Sequence, residues 1–132
     1  MLVELCFGLW RDAVADGGED AADLAVLARR ALGHLEACAR FVPCAEPSAL
    51  LWRGAWAWQG GRPWRARRLV ERALAGAVRL DLWHVQGLAW LELARQAAPS
   101  EREGLVARAV ERFEACGAVV DRERARRLSG AR

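Results

Sequence analysis

The sequence contains no lysine, isoleucine, asparagine, threonine or tyrosine, so that all 20 of its basic residues are arginine. Alanine, leucine, arginine and glycine dominate instead, which is typical of coding in a GC-rich genome. The formal net charge is +3 and the pI is near 9.0. Because this small excess comes from arginine usage throughout the chain, it is weak support for a nucleic-acid-binding function.

Long apolar runs are also missing. No run approaches the roughly 18 residues that a membrane-spanning helix requires, and the N-terminus has no basic residues ahead of its apolar stretch. The 132 residues are 54% hydrophobic and 28% charged, which favours one globular domain over residues 1–132. We therefore expect a cytoplasmic protein.

Motifs for nucleophilic catalysis and phosphate binding are absent. The chain has three serines and two histidines, without a Gly-x-Ser-x-Gly elbow or a Cys-His pair in an active-site motif. The glycine pairs at 17–18 and 60–61 lack the lysine and further glycines of phosphate-binding loops. The sequence thus predicts a protein that is not an enzyme and has no cofactor.

Four cysteines are irregularly spaced, which favours buried, reduced thiols over a disulfide framework. His34 and Cys38 lie four residues apart on one helix face, and Cys44 follows, so the three could contact a soft metal. A fourth ligand would have to come from elsewhere in the chain. We favour a partly exposed histidine beside small core cysteines and predict no metal site.

Glycine and proline punctuation divides the chain into seven predicted helices, and no segment shows the period-two alternation of a strand. The helices are expected at residues 2–14, 20–41, 47–59, 63–80, 81–97, 101–116 and 119–128. Ser100 and Glu103 form a potential capping box for the sixth helix, and Gly117 is its expected C-terminal cap. The fold class is therefore all-α.

An Arg-Ala-Leu/Val pattern recurs three times, with its alanine at residues 31, 73 and 109. A small residue at the same place in successive amphipathic helices indicates stacked helical hairpins. The spacings of 42 and 36 residues indicate a degenerate repeat. We expect three antiparallel hairpins followed by a polar capping helix, at about residues 2–41, 47–80, 81–116 and 119–129.

The middle hairpin resembles the tetratricopeptide repeat. The small or apolar residues of that motif are matched by Gly54, Gly61, Ala66, Val70 and Ala73. Gly87 gives the third hairpin a weaker match. The chain as a whole resembles the degenerate tetratricopeptide-like arrays near the C-termini of large bacterial signalling proteins, including kinase- and ATPase-coupled regulators and LuxR-type activators. This resemblance implies a short right-handed α-solenoid.

In tetratricopeptide folds the first helix of each hairpin lines a concave groove, and the resemblance implies such a groove here. The matching positions are Leu51, Ala55, Trp58, Gln59, His84, Leu88 and Glu92. An aromatic residue beside polar ones is typical of a peptide-binding site. We therefore hypothesise a non-catalytic protein-interaction module that binds a partner segment or another domain of its parent protein. The alternative is a sensory domain that holds a small ligand between hairpins.

Two further surfaces are candidates for contact with a partner. A basic cluster with one tryptophan inside it suits nucleic acid, although the helical spacing of its arginines favours an ordinary solvated face; it comprises Arg62, Trp64, Arg65, Arg67, Arg68 and Arg72. A nucleic-acid scaffold is therefore the least favoured hypothesis. The first helix carries Leu2, Leu5 and Leu9, which predict self-association or a partner contact if they are exposed.

Overall fold

A computed structural model of the chain describes residues 2–130, which form seven α-helices, one short 3-10 turn and no strand. The all-α prediction is therefore confirmed, and the helix bounds agree with the predicted ones to within two residues. The helices are α1 (Leu2–Ala15), α2 (Ala21–Ala39), α3 (Glu46–Gln59), α4 (Pro63–Arg79), α5 (Trp83–Gln96), α6 (Pro99–Cys116) and α7 (Val119–Gly130), with the 3-10 turn at Pro43–Ala45.

Helix ends follow from local backbone chemistry. Gly17, Gly61 and Gly117 have positive φ angles, and Gly117 ends α6 in the left-handed conformation, as predicted. The capping-box prediction is wrong, because α6 already begins at Pro99 and has no side-chain cap. The fixed φ of a proline suits the first turn of a helix, so the helix starts before Ser100.

Neighbouring helices pack against one another along the chain. The most extensive pairs are α1 with α2, α3 with α4, and α5 with α6, and each pair also contacts the next one. Helical hairpins therefore pack as the sequence predicts. The last helix, α7, lies on α6 and α5 and buries only Ala125.

Two glycines allow the closest approach between helices. A Cβ added to Gly54 would lie 2.7 Å from Val70 Cγ2, and one added to Gly87 would lie 2.4 Å from Phe113 Cε1. In each pair a fully buried alanine precedes the large residue by four positions, Ala66 before Val70 and Ala109 before Phe113. In its helix contacts, Ala109 therefore corresponds to Ala66. The recurring sequence pattern had instead aligned Ala109 with Ala73.

The recurring alanines pack in the core and the arginines beside them are exposed. Ala31, Ala73 and Ala109 are buried, while the arginine that precedes each of them faces solvent. The packing role predicted for this pattern is therefore confirmed.

The cysteines differ from their prediction: all four are free, but only Cys6 is partly buried. The expectation of buried thiols is wrong because the other three lie on outward faces or in turns.

Candidate functional site

The inner groove predicted from the repeat resemblance is largely closed. Leu51, Ala55, Leu88 and Glu92 are all buried, with at most 8% of any of them exposed. A partner cannot reach these four side chains in this structure, and their prediction as surface contacts needs correction. The other three predicted residues are partly or fully exposed: Trp58, Gln59 and His84.

Helix α1 fills the space where the groove was expected. Its Phe7 ring lies 5.0 Å from that of Trp52, and its Trp10 ring lies 4.9 Å from that of Trp56, both on α3. Arg11, the residue that follows Trp10, contacts Glu92 of α5. The aromatic residues of α1 thereby bury the inner face of α3, because large rings packed together exclude water from the surface beneath them.

Glu92 forms a buried ion network with two arginines. Its Oε1 lies 2.5 Å from Arg11 Nη2 and its Oε2 lies 3.3 Å from Arg95 Nη1, while only 2% of its side chain is exposed. Burial raises the pKa of Glu92, but the positive charges of the two arginines outweigh this effect and hold the pKa below its usual value. Glu92 is therefore an ionised structural residue that fastens α1 to α5.

His84 belongs to a second ion cluster. Its Nε2 lies 2.8 Å from Asp121 Oδ2, and Glu4 lies near both, so one ligand atom from each residue falls within 4.8 Å of the others. Arg124 Nη1 lies 3.2 Å from Asp121 Oδ1 and 3.6 Å from Glu4 Oε1. This guanidinium bridges the two carboxylates, so the cluster links α1, α5 and α7 through ion pairs and the His84–Asp121 contact.

The metal site considered from sequence does not form within residues 2–130. Cys38 and Cys44 are exposed, His34 is exposed as well, and the three are not brought together as a ligand set. Contrary to the expectation of small core cysteines beside His34, Cys38 and Cys44 lie outside the core.

An apolar cleft opens on the other side of α5, between α4 and α6. Its volume is about 610 Å³. Apolar side chains from four helices line it: Trp58, Trp64, Leu74, Trp90, Leu93 and Leu105. We call it the tryptophan cleft. Trp64 is 84% exposed, so its indole borders an open cleft and not an enclosed cavity.

The edge of the tryptophan cleft is polar. Arg67 pairs with Glu71 at 3.0 Å, and Arg68 and Glu101 also line the cleft. The Arg108 guanidinium lies 4.8 Å from the centre of the Trp90 ring, a distance at which cation–π attraction is favourable. A mostly apolar floor with a few charged groups at its edge is the usual composition of a binding site.

Two buried polar atoms beside the cleft have no hydrogen-bond partner within residues 2–130. They are the indole Nε1 of Trp90 and the carboxamide Oε1 of Gln96. An unpaired buried donor or acceptor costs about 1–3 kcal/mol. Both atoms are covered by protein, so a bound molecule would reach them only after a neighbouring side chain moves.

The residues of α5 that the sequence pattern selected lie on a different face from those that line the cleft. The repeat register selected Leu88 and Glu92, whereas Trp90 and Leu93 line the cleft. Trp58 is common to the predicted groove and the observed cleft. The sequence did contain a signal for the cleft. Trp58 and Trp64 flank the turn at 60–61, and a tryptophan in the first turn of a strongly basic helix is expected to lie at the surface.

Comparisons with protein-family models, with curated proteins and with solved structures find no match to this chain. Within residues 2–130, no helix combines the length and the apolar character needed to cross a membrane.

Proposed function

We propose that this chain is a non-catalytic protein-interaction module that binds a segment of a partner protein, or another domain of a longer parent protein, in the tryptophan cleft. The observation that carries the proposal is an open, largely apolar cleft bordered by three tryptophans, Trp58, Trp64 and Trp90. Tryptophan is strongly enriched among the residues that dominate binding energy at protein interfaces.

The openness of the cleft favours a peptide. A bound small molecule generally has most of its surface enclosed, whereas here the Trp64 indole is 84% exposed at the edge. An extended or helical segment can place one or two apolar side chains on the floor formed by Leu74, Leu93 and Leu105 while its backbone stays near solvent.

A small-ligand sensory domain is the second candidate. The cleft volume of about 610 Å³ lies within the common range for ligand pockets, and the cleft separates the helix pairs α3–α4 and α5–α6, where a ligand could alter their packing. To enclose a small ligand, the cleft would have to close by movement of the Trp64 side chain over that ligand.

The proposed setting is the bacterial cytoplasm, as part of a signalling protein with tetratricopeptide-like repeats. The close helix approaches at Gly54 and Gly87 support the repeat-like stacking in this proposal, since small residues at such approaches are typical of stacked helical hairpins. In such a protein, binding in the cleft would regulate or recruit an attached domain.

A second surface on α1 extends the proposal to self-association. Leu2, Leu5 and Leu9 are 66%, 60% and 48% exposed and form a stripe on the side of α1 opposite its core residues. Exposed leucines aligned on one helix face favour contact with another apolar surface. We propose that two copies pack through this stripe.

The test of the cleft uses a display library of random 12-residue peptides selected against the purified chain. Selected peptides are then titrated with wild type, Trp64→Ala and Trp83→Ala by fluorescence polarisation. Trp64 is exposed, so its removal leaves the fold intact. Trp83, which is 41% exposed and does not line the cleft, is the matched control.

We expect Trp64→Ala to weaken binding about tenfold or more, since truncating an interface hot spot costs about 2 kcal/mol, and Trp83→Ala to leave it unchanged. Circular dichroism spectra would verify that both variants are folded. A library that yields no peptide, or peptides whose affinity is equal for wild type and Trp64→Ala, would contradict the proposal. Thermal stabilisation by a small molecule, lost in Trp64→Ala, would favour the sensory alternative.

A further inference from the structure

A second pocket, more polar than the tryptophan cleft, lies on the α2 side of α4. It is bordered by α2, α3 and the turn that precedes α4, and its volume is about 460 Å³. We call it the arginine pocket after its charged lining, which consists of Arg29, Glu36, Arg53, Arg62 and Arg65. None of its residues lines the tryptophan cleft, so the two sites are separate.

Positive charge is concentrated in the arginine pocket. Its four guanidinium groups and one carboxylate leave three positive charges, which equals the formal net charge of the whole chain. In the tryptophan cleft the charges balance, because Arg67 and Arg68 are matched by Glu71 and Glu101. An anionic ligand would therefore be attracted to the arginine pocket and not to the cleft.

Glu36 occupies two of the four arginines. Its Oε2 accepts hydrogen bonds from Arg53 Nε at 3.1 Å and Nη2 at 2.6 Å, and its Oε1 accepts one from Arg29 Nη1 at 3.0 Å. Burial raises the pKa of Glu36, but these hydrogen bonds and the two positive charges hold the pKa below its usual value. Within residues 2–130, Arg62 and Arg65 form no salt bridge, so their guanidinium groups are available to a ligand.

The start of α4 adds to the positive potential of the pocket. Arg62 is the N-cap residue and Arg65 lies in the first turn, where α4 has no acidic residue and no side-chain cap. Five of the other helices carry Asp or Glu in the first turn. Because the N-terminus is the positive end of the helix dipole, arginines there are unfavourable for the helix by itself. A bound anion would relieve this repulsion.

From this arrangement we infer that the arginine pocket binds a small phosphorylated molecule, whose phosphoryl oxygens pair with Arg62 and Arg65. Guanidinium groups match phosphoryl oxygens in a bidentate, directional way. A carboxylate would neutralise only one of the three free charges, whereas a phosphoryl group carries a charge of about −2 at neutral pH. The inference does not depend on the proposed function of the tryptophan cleft.

The surroundings of the pocket favour a small molecule over a nucleic-acid strand, which needs a continuous basic track for its phosphates. Along α3 the pocket adjoins a smaller one of about 250 Å³, and Glu36 lines both. The charged lining of the smaller pocket is nearly balanced, with Glu36 and Glu46 against Arg40, Arg53 and Arg72. The strongly basic region is therefore limited to the arginine pocket, whose volume lies within the common range for small-molecule sites.

The test is isothermal titration calorimetry of the purified chain with pyrophosphate at constant ionic strength, with acetate as the singly charged comparison. Arg62→Gln/Arg65→Gln removes the two unpaired arginines of the pocket. The matched control is Arg30→Gln/Arg79→Gln, which lowers the net charge equally through two exposed arginines that do not line the pocket. Circular dichroism spectra would verify that both variants are folded.

We expect pyrophosphate to bind wild type and acetate not to bind. Arg62→Gln/Arg65→Gln should weaken pyrophosphate binding about tenfold or more, since charge-assisted contacts are the strong ones. The control Arg30→Gln/Arg79→Gln should change it less than about twofold, because exposed charges away from the site are screened by salt.

A second pair of variants tests for a gain of affinity, which a folding defect cannot imitate. Glu36→Gln releases Arg29 and Arg53 from their carboxylate, so it should tighten pyrophosphate binding about threefold or more. Its control is Glu71→Gln, which removes an equally paired carboxylate of α4 outside the pocket and should leave the affinity within about twofold of wild type.

Three outcomes would overturn the inference. One is the absence of pyrophosphate binding to wild type. Another is an equal effect of each variant and its control, which would mean that only the net charge of the chain matters. The third is tighter binding of an oligo-dT strand than of pyrophosphate, with the same loss in Arg62→Gln/Arg65→Gln, which would assign the pocket to nucleic acid.

Discussion

Removal of the Arg11 charge should expose how much of the fold depends on the ion network around Glu92. Arg11→Met keeps most of the aliphatic stem and deletes the guanidinium that lies 2.5 Å from the buried carboxylate. Removing one partner of a buried pair costs about 3–5 kcal/mol, because the remaining charge stays desolvated. Arg95 still neutralises part of that charge at 3.3 Å, so we expect a loss of about 3 kcal/mol.

The free energy of unfolding is measured by urea titration, with the seven tryptophans as the fluorescence signal. A small domain is typically stable by about 5–15 kcal/mol, so this loss should be large and easily resolved. The double variant Arg11→Met/Glu92→Gln removes the stranded carboxylate. It should lose less than the sum of the two single losses, with a coupling of at least about 1 kcal/mol.

The loss should also depend on pH. In wild type the arginines hold the pKa of Glu92 below its usual value, so the stabilisation is present at neutral pH and is lost as pH falls through that lowered pKa. In Arg11→Met the pKa of Glu92 should rise, since burial then dominates. The variant should therefore recover relative to wild type between pH 8 and pH 5. A loss below about 1 kcal/mol, or one that is equal at both pH values, would refute this account.

Three further predictions concern other parts of the fold. The Arg53 and Arg29 guanidinium groups lower the pKa of Glu36 against the effect of burial, so Glu36→Gln should cost about 1 kcal/mol at pH 7 and progressively less as the pH falls through that lowered pKa, measured by urea titration. Gly87→Ala should cost about 1–3 kcal/mol by steric clash, whereas the control Gly33→Ala, which has open space on exposed α2, should be neutral or stabilising in thermal melts. Leu5→Arg should shift the chain toward monomer in sedimentation velocity without loss of helicity; a wild type that is already monomeric at high concentration would contradict self-association through α1.

Helix positions could be predicted from sequence because local chemistry fixes them. Gly61 ends a turn with a positive φ, Pro63 starts α4 in its first turn, and the spacing of Ala66, Val70 and Ala73 gives α4 its buried face. Each of these signals acts within about one or two helical turns. The start of α6 was missed by two residues because Pro99 and Ser100, which are adjacent, provide competing start signals.

The tryptophan cleft could not be predicted in the same way, since it depends on contacts between residues far apart in the chain. Arg11 and Glu92 are separated by 81 positions, and nothing local to Glu92 shows that an arginine of α1 will bury it. In an open stack of hairpins, the face of α5 that the repeat register selected would line the groove. The packing of α1 closed that face, and the accessible part of α5 is the side that carries Trp90.

The amino-acid sequence by itself therefore determined the helices, their amphipathic faces and the close helix contacts at Gly54, since periodicity, proline and glycine act locally. Only the tertiary structure decided which faces remain open. It buried the predicted inner groove under α1, paired Glu92 with Arg11, and left the tryptophan cleft open between α4 and α6. The physical reason is that burial depends on the sum of all neighbours of a side chain, and most of those neighbours come from other helices.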